Sequence, residues 1–239
     1  MPHMRHSFDF SHIEAVMVDL DGTMVDTMGD FEAALNLCLA DIDLPKVSPS
    51  VVNIAVGKGS EHLIRTVLRH QLDLPEVKAS GMVCDNTGVE NLFEPAFARY
   101  QHHYERVNGT FAQTYPGVLP GLQQLHARGL KMACLTNKPT AFAKALLADK
   151  GLAGFFSHVF GGDAFARKKP DPMPLLETCK ALGTTPARTL MIGDSQNDAL
   201  AARAAACPVI LVTYGYNHGE PIQGVECDGF IDRIDELHA

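Results

Sequence analysis

Short apolar runs alternate with stretches of helical periodicity along most of the chain. Runs of this kind, bounded by turn residues, predict strands that are buried on both faces of a parallel sheet. The predicted strands are 15–18, 130–135, 158–160, 189–192, 209–212 and 230–231. The helices predicted between them lie near 122–125, 140–150, 174–182 and 199–206. Strands that alternate with helices are typical of an α/β fold with a doubly wound parallel sheet.

The segment after the first strand has a different pattern, because it shows helical periodicity and no predicted strand. Apolar residues recur at helical spacing over 31–42 and 63–72, and aromatic residues follow at steps of four, three and four from Phe93 to Tyr104. Such an aromatic stripe predicts packing in a core. We therefore expect an all-helical cap inserted into the α/β core. The predicted boundaries are 28–107 for the cap and 1–27 with 108–239 for the core.

Composition and charge exclude several classes of function. The 239 residues carry a formal net charge of -8, whereas nucleic-acid-binding surfaces need clustered lysine and arginine. No stretch approaches the ~20 apolar residues of a membrane span, and residues 1–14 lack the apolar centre of a signal peptide. We therefore expect a cytoplasmic protein that binds neither nucleic acid nor a membrane. We also expect a monomer or a homodimer.

Polar side chains follow three of the predicted strands at the point where each strand ends. They are Asp19 and Asp21 after the first strand, Thr136 and Asn137 after the run 130–135, and Asp194 after the run 189–192, with Lys169 in a loop between the last two. The carboxyl ends of parallel strands meet at one edge of such a sheet, where ligands bind. We therefore expect these six side chains to converge.

Neighbouring carboxylates need a positive charge close by, because at separations of a few Å they repel by roughly 1–4 kcal/mol. Magnesium prefers oxygen ligands, so that Asp19 and Asp194 are natural candidates to bind it. The hydroxyl, amide and ammonium groups suit a dianion such as phosphate. An ordinary aspartate has a pKa of ~3.9, so Asp19 is expected to be ionised at neutral pH and able to attack phosphorus without a separate base.

Each of these residues has a simpler interpretation when it is taken alone. Asp21 with Gly22 makes a common turn, and a single loop lysine is usually solvated. The run 194–198 resembles the start of a calcium-binding loop, but Ala199 and Ala205 occupy the positions of the required glycine and glutamate. Calcium is therefore rejected, and the features taken together favour phosphoryl transfer.

Four short motifs, in this order, resemble those of the haloacid dehalogenase superfamily of phosphotransferases. The motifs are Asp19-Leu20-Asp21-Gly22-Thr23, Thr136-Asn137, Lys169-Pro170 and Gly193-Asp194-Ser195-Gln196-Asn197-Asp198. The resemblance implies a Rossmann-like core, Mg²⁺ as the cofactor and hydrolysis through an aspartyl-phosphate intermediate.

The resemblance also implies a role for each residue of the motifs. Asp19 would be the nucleophile and a metal ligand. Asp21 would be the general acid and base, and its backbone carbonyl would bind the metal. The remaining residues would bind the phosphate and neutralise its charge (Gly22, Thr136, Asn137 and Lys169), bind the metal (Asp194) or orient these groups (Ser195 and Asp198).

The helical insert resembles the first cap class of the superfamily, which selects small phosphorylated metabolites. The phrases 115–118, 161–163 and 215–220 are similar to those of phosphoglycolate phosphatases. The expected reaction is therefore hydrolysis of 2-phosphoglycolate to glycolate and phosphate. One alternative is a β-phosphoglucomutase or another sugar-phosphate enzyme of the same cap class. A receiver-like phospho-accepting switch is disfavoured, because such a domain is about half this length and lacks a helical lid.

Lys58 lies between Gly57 and Gly59 in the predicted cap, where the resemblance leads us to expect a small polar residue. Two interpretations are open. Lys58 contacts the carboxylate or phosphate of the substrate when the cap closes, or it is a solvated loop lysine.

Overall fold

The computed structural model describes residues 8–237, so the predicted core residues 1–7 and 238–239 lie outside it. The strands are β1 (Ala15–Val18), β2 (Val25–Asp26), β3 (Gln113–Thr114), β4 (Lys131–Leu135), β5 (His158–Phe160), β6 (Thr189–Gly193), β7 (Val209–Val212) and β8 (Gly229–Ile231). The helices are α1 (Met28–Ala40), α2 (Pro49–Ala55), α3 (Ser60–Asp73), α4 (Pro75–Ala79), α5 (Asn86–Val107), α6 (Val118–Ala127), α7 (Thr140–Asp149), α8 (Met173–Leu182) and α9 (Gln196–Ala204). Within the described range, none of these helices combines the length and the apolar character that crossing a membrane requires.

Six strands form one sheet in the order β5-β4-β1-β6-β7-β8, and every neighbouring pair is parallel. The doubly wound parallel sheet predicted from the sequence is therefore confirmed. β1 lies between β4 and β6, with Val18 opposite both Cys134 and Ile192. The carboxyl ends of these three strands are consequently neighbours at one edge of the sheet.

Helices α1 to α5 lie between β1 and β4 in the chain and pack around their own hydrophobic core. This core contains Phe31, Leu35, Leu68, Phe93 and Tyr100 and is distinct from the clusters that cover the sheet. Phe93, Tyr100 and Tyr104 of the aromatic stripe are buried in it. The predicted inserted helical cap is therefore present, while the exact boundaries 28–107 stay a prediction.

Short elements at the base of the helical insert were not predicted. β2 and β3 pair as an antiparallel ribbon, with Val25 opposite Thr114, where the chain leaves and re-enters the core. The buried Asp30 carboxylate accepts the backbone N–H groups of Gly109, at 2.6 Å, and Phe111, at 2.7 Å. These contacts tie the start of α1 to the segment that follows α5.

Candidate active site

The carboxyl ends of β1 and β6 meet around the ammonium group of Lys169. Its Nζ lies 3.1 Å from Oδ1 of Asp19 and 2.6 Å from Oδ1 of Asp198, and it donates to the backbone carbonyl of Leu135 at 2.9 Å. Burial alone would lower the pKa of Lys169, but the carboxylates of Asp19 and Asp198 raise it above its ordinary value. Lys169 is therefore held as a cation beside Asp19.

Three buried carboxylates lie together at this point. One oxygen from each of Asp19, Asp194 and Asp198 lies within 4.8 Å of the others. Burial raises the pKa of Asp19 to about 7, although the Lys169 ammonium acts in the opposite direction, so the ordinary pKa expected from the sequence does not hold for this residue. Burial, and the neighbouring Asp198 carboxylate, also raise the pKa of Asp194. The cluster carries more negative charge than one lysine neutralises, so its hard oxygen ligands fit a divalent cation such as Mg²⁺.

Asp198 has both carboxylate oxygens in hydrogen bonds with the protein. Oδ1 accepts from Lys169, while Oδ2 accepts from the Ser195 hydroxyl at 2.7 Å and from the Ser195 backbone N–H at 3.2 Å. Ser195 and Asp198 form the capping box at the start of α9. The same pair therefore begins the helix and fixes the position of Lys169.

Asp194 is oriented by hydrogen bonds and by two close glycines. Its Oδ1 accepts from the Thr23 hydroxyl at 3.0 Å, and its Oδ2 accepts from the Tyr216 backbone N–H at 2.6 Å. A Cβ at Gly22, whose φ is +83°, would lie 2.1 Å from Asp194 Oδ2, and a Cβ at Gly215 would lie 2.2 Å from Asp194 Cβ. Both positions therefore require glycine.

Gly22 also has a local role in the turn after β1, since its backbone N–H donates to the Val25 carbonyl at 2.9 Å. Its predicted contact with phosphate stays a prediction. The close approach to Asp194 explains the glycine without a bound ligand.

The carboxylate of Asp21 faces the helical insert. Oδ1 accepts from the Thr27 hydroxyl at 2.8 Å and from Nζ of Lys138 at 2.9 Å. Asp21 does not belong to the cluster of three carboxylates, which is consistent with a metal contact through its backbone carbonyl. Its assignment as a metal ligand and as the acid and base stays a prediction.

Thr136 and Asn137, after β4, are both buried. The Asn137 amide donates to the carbonyl of Lys169 at 2.8 Å and accepts from its backbone N–H at 3.0 Å. The same amide donates to the carbonyl of Gly57 in the helical insert at 3.0 Å. The Thr136 hydroxyl accepts from the Lys138 backbone N–H at 3.2 Å. Asn137 therefore joins the loop of Lys169 to the insert. The predicted contacts of Thr136 and Asn137 with phosphate stay predictions.

A small cavity lies between the sheet edge and the helical insert. Its lining comprises Asp19, Asp21, Phe31, Val56, Gly57, Gly59, Ser60, Leu63, Tyr100, Tyr104, Thr136, Asn137, Lys138, Pro139 and Phe142. Tyr100 and Tyr104 face this cavity, so the prediction that the aromatic stripe serves packing was incomplete. Lys58 is exposed and does not belong to the lining.

Comparisons with known proteins agree with this geometry. A family model described as haloacid dehalogenase-like hydrolase matches residues 13–206. The chain belongs to this hydrolase family. It is 39% identical over 224 residues to a phosphoglycolate phosphatase of Thiobacillus denitrificans, covering 94% of this chain and 93% of that protein. It is 36% identical over 230 residues to a phosphoglycolate phosphatase of Aliivibrio fischeri, covering 96% of this chain and 97% of that protein. The resemblance stated from the motifs is therefore confirmed.

A solved structure shows the same fold in a relative of this hydrolase. The crystal structure of a predicted phosphoglycolate phosphatase from Haemophilus somnus superposes with a TM-score of 0.86 at 30% identity, covering 95% of this chain and 97% of that chain.

Two residues of the hydrolase site were missed from the sequence. Lys138 directly follows the Thr136-Asn137 motif, and this adjacency was the signal that could have identified it. Tyr104 gave no comparable signal, because its hydroxyl reaches Lys138 only when the insert packs on the core.

Proposed function

We propose that this hydrolase is a Mg²⁺-dependent phosphatase that converts 2-phosphoglycolate to glycolate and phosphate through an aspartyl-phosphate intermediate. The observation that carries the proposal is the contact of Asp19 with Lys169 beside the buried carboxylates of Asp194 and Asp198. The similarity to phosphoglycolate phosphatases over nearly the whole chain supports the choice of substrate. The cytoplasmic location and the monomeric or homodimeric state stay predictions.

Asp19 is the proposed nucleophile. A carboxylate oxygen of Asp19 forms a bond to phosphorus while the bond from phosphorus to the glycolate oxygen breaks, and Asp21 gives that oxygen a proton. Asp21 then takes a proton from the water that attacks the aspartyl phosphate, which releases phosphate and restores Asp19. Lys169 stabilises the negative charge on the phosphoryl oxygens during both transfers.

Mg²⁺ would be held by Asp19, Asp194 and the backbone carbonyl of Asp21, and Ser195 and Asp198 would orient the surrounding groups. When bound, the ion neutralises the acidic cluster and polarises the phosphoryl group. Thr136, Asn137 and Gly22 are the proposed contacts of the phosphoryl oxygens. Asn137, which already contacts Gly57, also places the insert over the substrate.

A panel of phosphorylated metabolites tests the substrate and the reaction together. We expect phosphate release over many turnovers with Mg²⁺, loss of release with excess EDTA, and the highest kcat/KM for 2-phosphoglycolate. Glucose 1-phosphate and p-nitrophenyl phosphate serve as comparison substrates. Release that stops near one equivalent would indicate a phospho-accepting switch, and transfer between the positions of a sugar would indicate a mutase; either result contradicts the proposal.

A further inference from the structure

Lys138 places a buried ammonium group in the wall of the cavity. The residue is 5% exposed, and its Nζ donates to Asp21 at 2.9 Å and to the hydroxyl of Tyr104. The same Nζ lies 4.9 Å from the centre of the Phe31 ring and 4.7 Å from the centre of the Tyr104 ring. Aromatic faces and two hydrogen bonds therefore fix this cation in one position.

The charge of Lys138 is distinct from the charge that serves the phosphate. Lys169 is directed to Asp19 and Asp198, and Lys58 is exposed outside the cavity. Among the described residues that line the cavity, Lys138 is the one lysine or arginine. Asp21 is the partner of opposite charge that offsets the cost of burying this lysine, and it holds the ammonium at the edge of the cavity.

Tyr104 adds a hydrogen-bond donor at the same place. Burial raises the pKa of the Tyr104 hydroxyl well above its ordinary value, so the group stays protonated at neutral pH. Since Lys138 donates to the hydroxyl oxygen, the hydroxyl hydrogen is available for an acceptor in the cavity. An ammonium and a hydroxyl donor side by side match the two oxygens of a carboxylate.

The geometry points to Lys138, with Tyr104, as the group that binds the carboxylate of the substrate and selects short phosphorylated acids over neutral phosphate esters. This inference rests on the proposed function, because it assumes that the phosphate lies at Asp19 and the leaving oxygen at Asp21. It assigns the recognition of the second anionic group to Lys138 instead of Lys58.

The length of 2-phosphoglycolate agrees with this arrangement. In that molecule the carboxylate carbon is two bonds from the leaving oxygen, and Lys138 is one hydrogen bond from Asp21, which faces that oxygen in the proposed reaction. A short acid therefore reaches the ammonium while its phosphate stays at Asp19. A neutral ester of the same length offers no charge to Lys138, and a charged hydrogen bond is lost.

Binding to a variant without turnover measures this subsite directly. In an Asp19→Asn background with Mg²⁺, calorimetry gives Kd for 2-phosphoglycolate and for 2-hydroxyethyl phosphate, which carries an uncharged hydroxymethyl group in place of the carboxylate. We expect Lys138→Met to lower the preference for 2-phosphoglycolate by about 10- to 100-fold, the range set by the loss of one charged hydrogen bond. Lys138→Arg, which keeps the charge, should retain more of the preference than Lys138→Met.

Two further variants distinguish a specific loss of carboxylate binding from a general effect on folding. Tyr104→Phe keeps the buried ring, removes only the hydroxyl, and should lower the preference in the same direction by a smaller factor. Lys58→Met is the matched control, since it removes an exposed cation near the cavity, and should leave the preference within about twofold. An equal loss of affinity for both ligands in Lys138→Met, or a selective loss in Lys58→Met, would overturn the inference.

The outcome separates the subsite from the proposed function. If the wild-type protein releases no phosphate while Lys138→Met still abolishes the binding preference, the phosphatase proposal is wrong and the carboxylate subsite stands. If the wild-type protein turns over 2-phosphoglycolate while the preference survives Lys138→Met, the phosphatase proposal stands and Lys138 is not the selecting residue.

Discussion

Single buried polar side chains fix the connection between the core and the helical insert. Asp30 is fully buried and accepts two backbone N–H groups, from Gly109 and Phe111. The Tyr216 hydroxyl accepts the backbone N–H groups of Thr27, at 2.9 Å, and Met28, at 3.1 Å. Both residues satisfy donors at the segments where the chain enters and leaves the insert, so each has a structural role beside the active site.

Replacement of Asp30 tests this role at the level of one residue. Asp30→Ala leaves two backbone N–H groups without their acceptor, so we expect the free energy of unfolding to fall by about 2–3 kcal/mol. Urea denaturation followed by circular dichroism measures the change. Asp30→Asn keeps one acceptor oxygen and should lose less. A loss below about 0.5 kcal/mol in Asp30→Ala would show that these hydrogen bonds contribute little.

The sequence predicted those active-site residues that lie at the carboxyl ends of strands. Asp19 and Asp194 were identified because turn residues follow their apolar runs, and Lys169 because its motif lies between two such strands. Lys138 and Tyr104 were not identified, because their contact joins the core to the insert across 34 positions of sequence. Neither a single lysine nor an aromatic stripe at helical spacing has a sequence pattern that predicts this contact.

Long and regular elements were predicted more successfully than short ones. The six strands of the sheet and helices α3, α7 and α8 all appear near their predicted positions. The ribbon of β2 and β3 was missed because each strand has two residues, too few to show an alternating pattern. Helices α2 and α4, of seven and five residues, were missed because they are too short for two turns of apolar periodicity.

Helix α6 provides a prediction at the level of the element, because packing and helix propensity disagree there. A Cβ at Gly121 would lie 2.6 Å from Cγ2 of Ile234 and 2.7 Å from its backbone carbon. Propensity alone predicts that Gly121→Ala stabilises the helix by about 1 kcal/mol. We expect net destabilisation by about 1–3 kcal/mol, because the backbone of the turn at Ile234 has to move.

Thermal or urea unfolding of Gly121→Ala decides between the two effects. Gly154→Ala is the matched control, since a Cβ there meets nothing within 4 Å, and it should change stability by less than about 1 kcal/mol. If Gly121→Ala is more stable than the wild-type protein, the gain in helix propensity outweighs the cost of the close contact with Ile234, and the prediction is wrong.

At the scale of the whole molecule, the strand order explains why distant motifs meet. β1 lies between β4 and β6, so the ends of these three strands bring Asp19, Asn137 and Asp194 to one edge of the sheet. The helical insert closes this edge and contributes Tyr104 and the Gly57 carbonyl. In the proposed function the core thus supplies the groups for phosphoryl transfer, and the insert completes the pocket for the rest of the substrate.

The identity of the phosphorylated residue tests the central claim most directly. Mg²⁺-loaded enzyme is mixed with 2-phosphoglycolate carrying radioactive phosphate, quenched with acid during turnover and digested for peptide mapping. We predict that the label lies on Asp19, and that Asp19→Asn keeps its circular dichroism spectrum, carries no label and loses turnover by at least about 1,000-fold. Label on another residue, or turnover that persists in Asp19→Asn, would contradict the account.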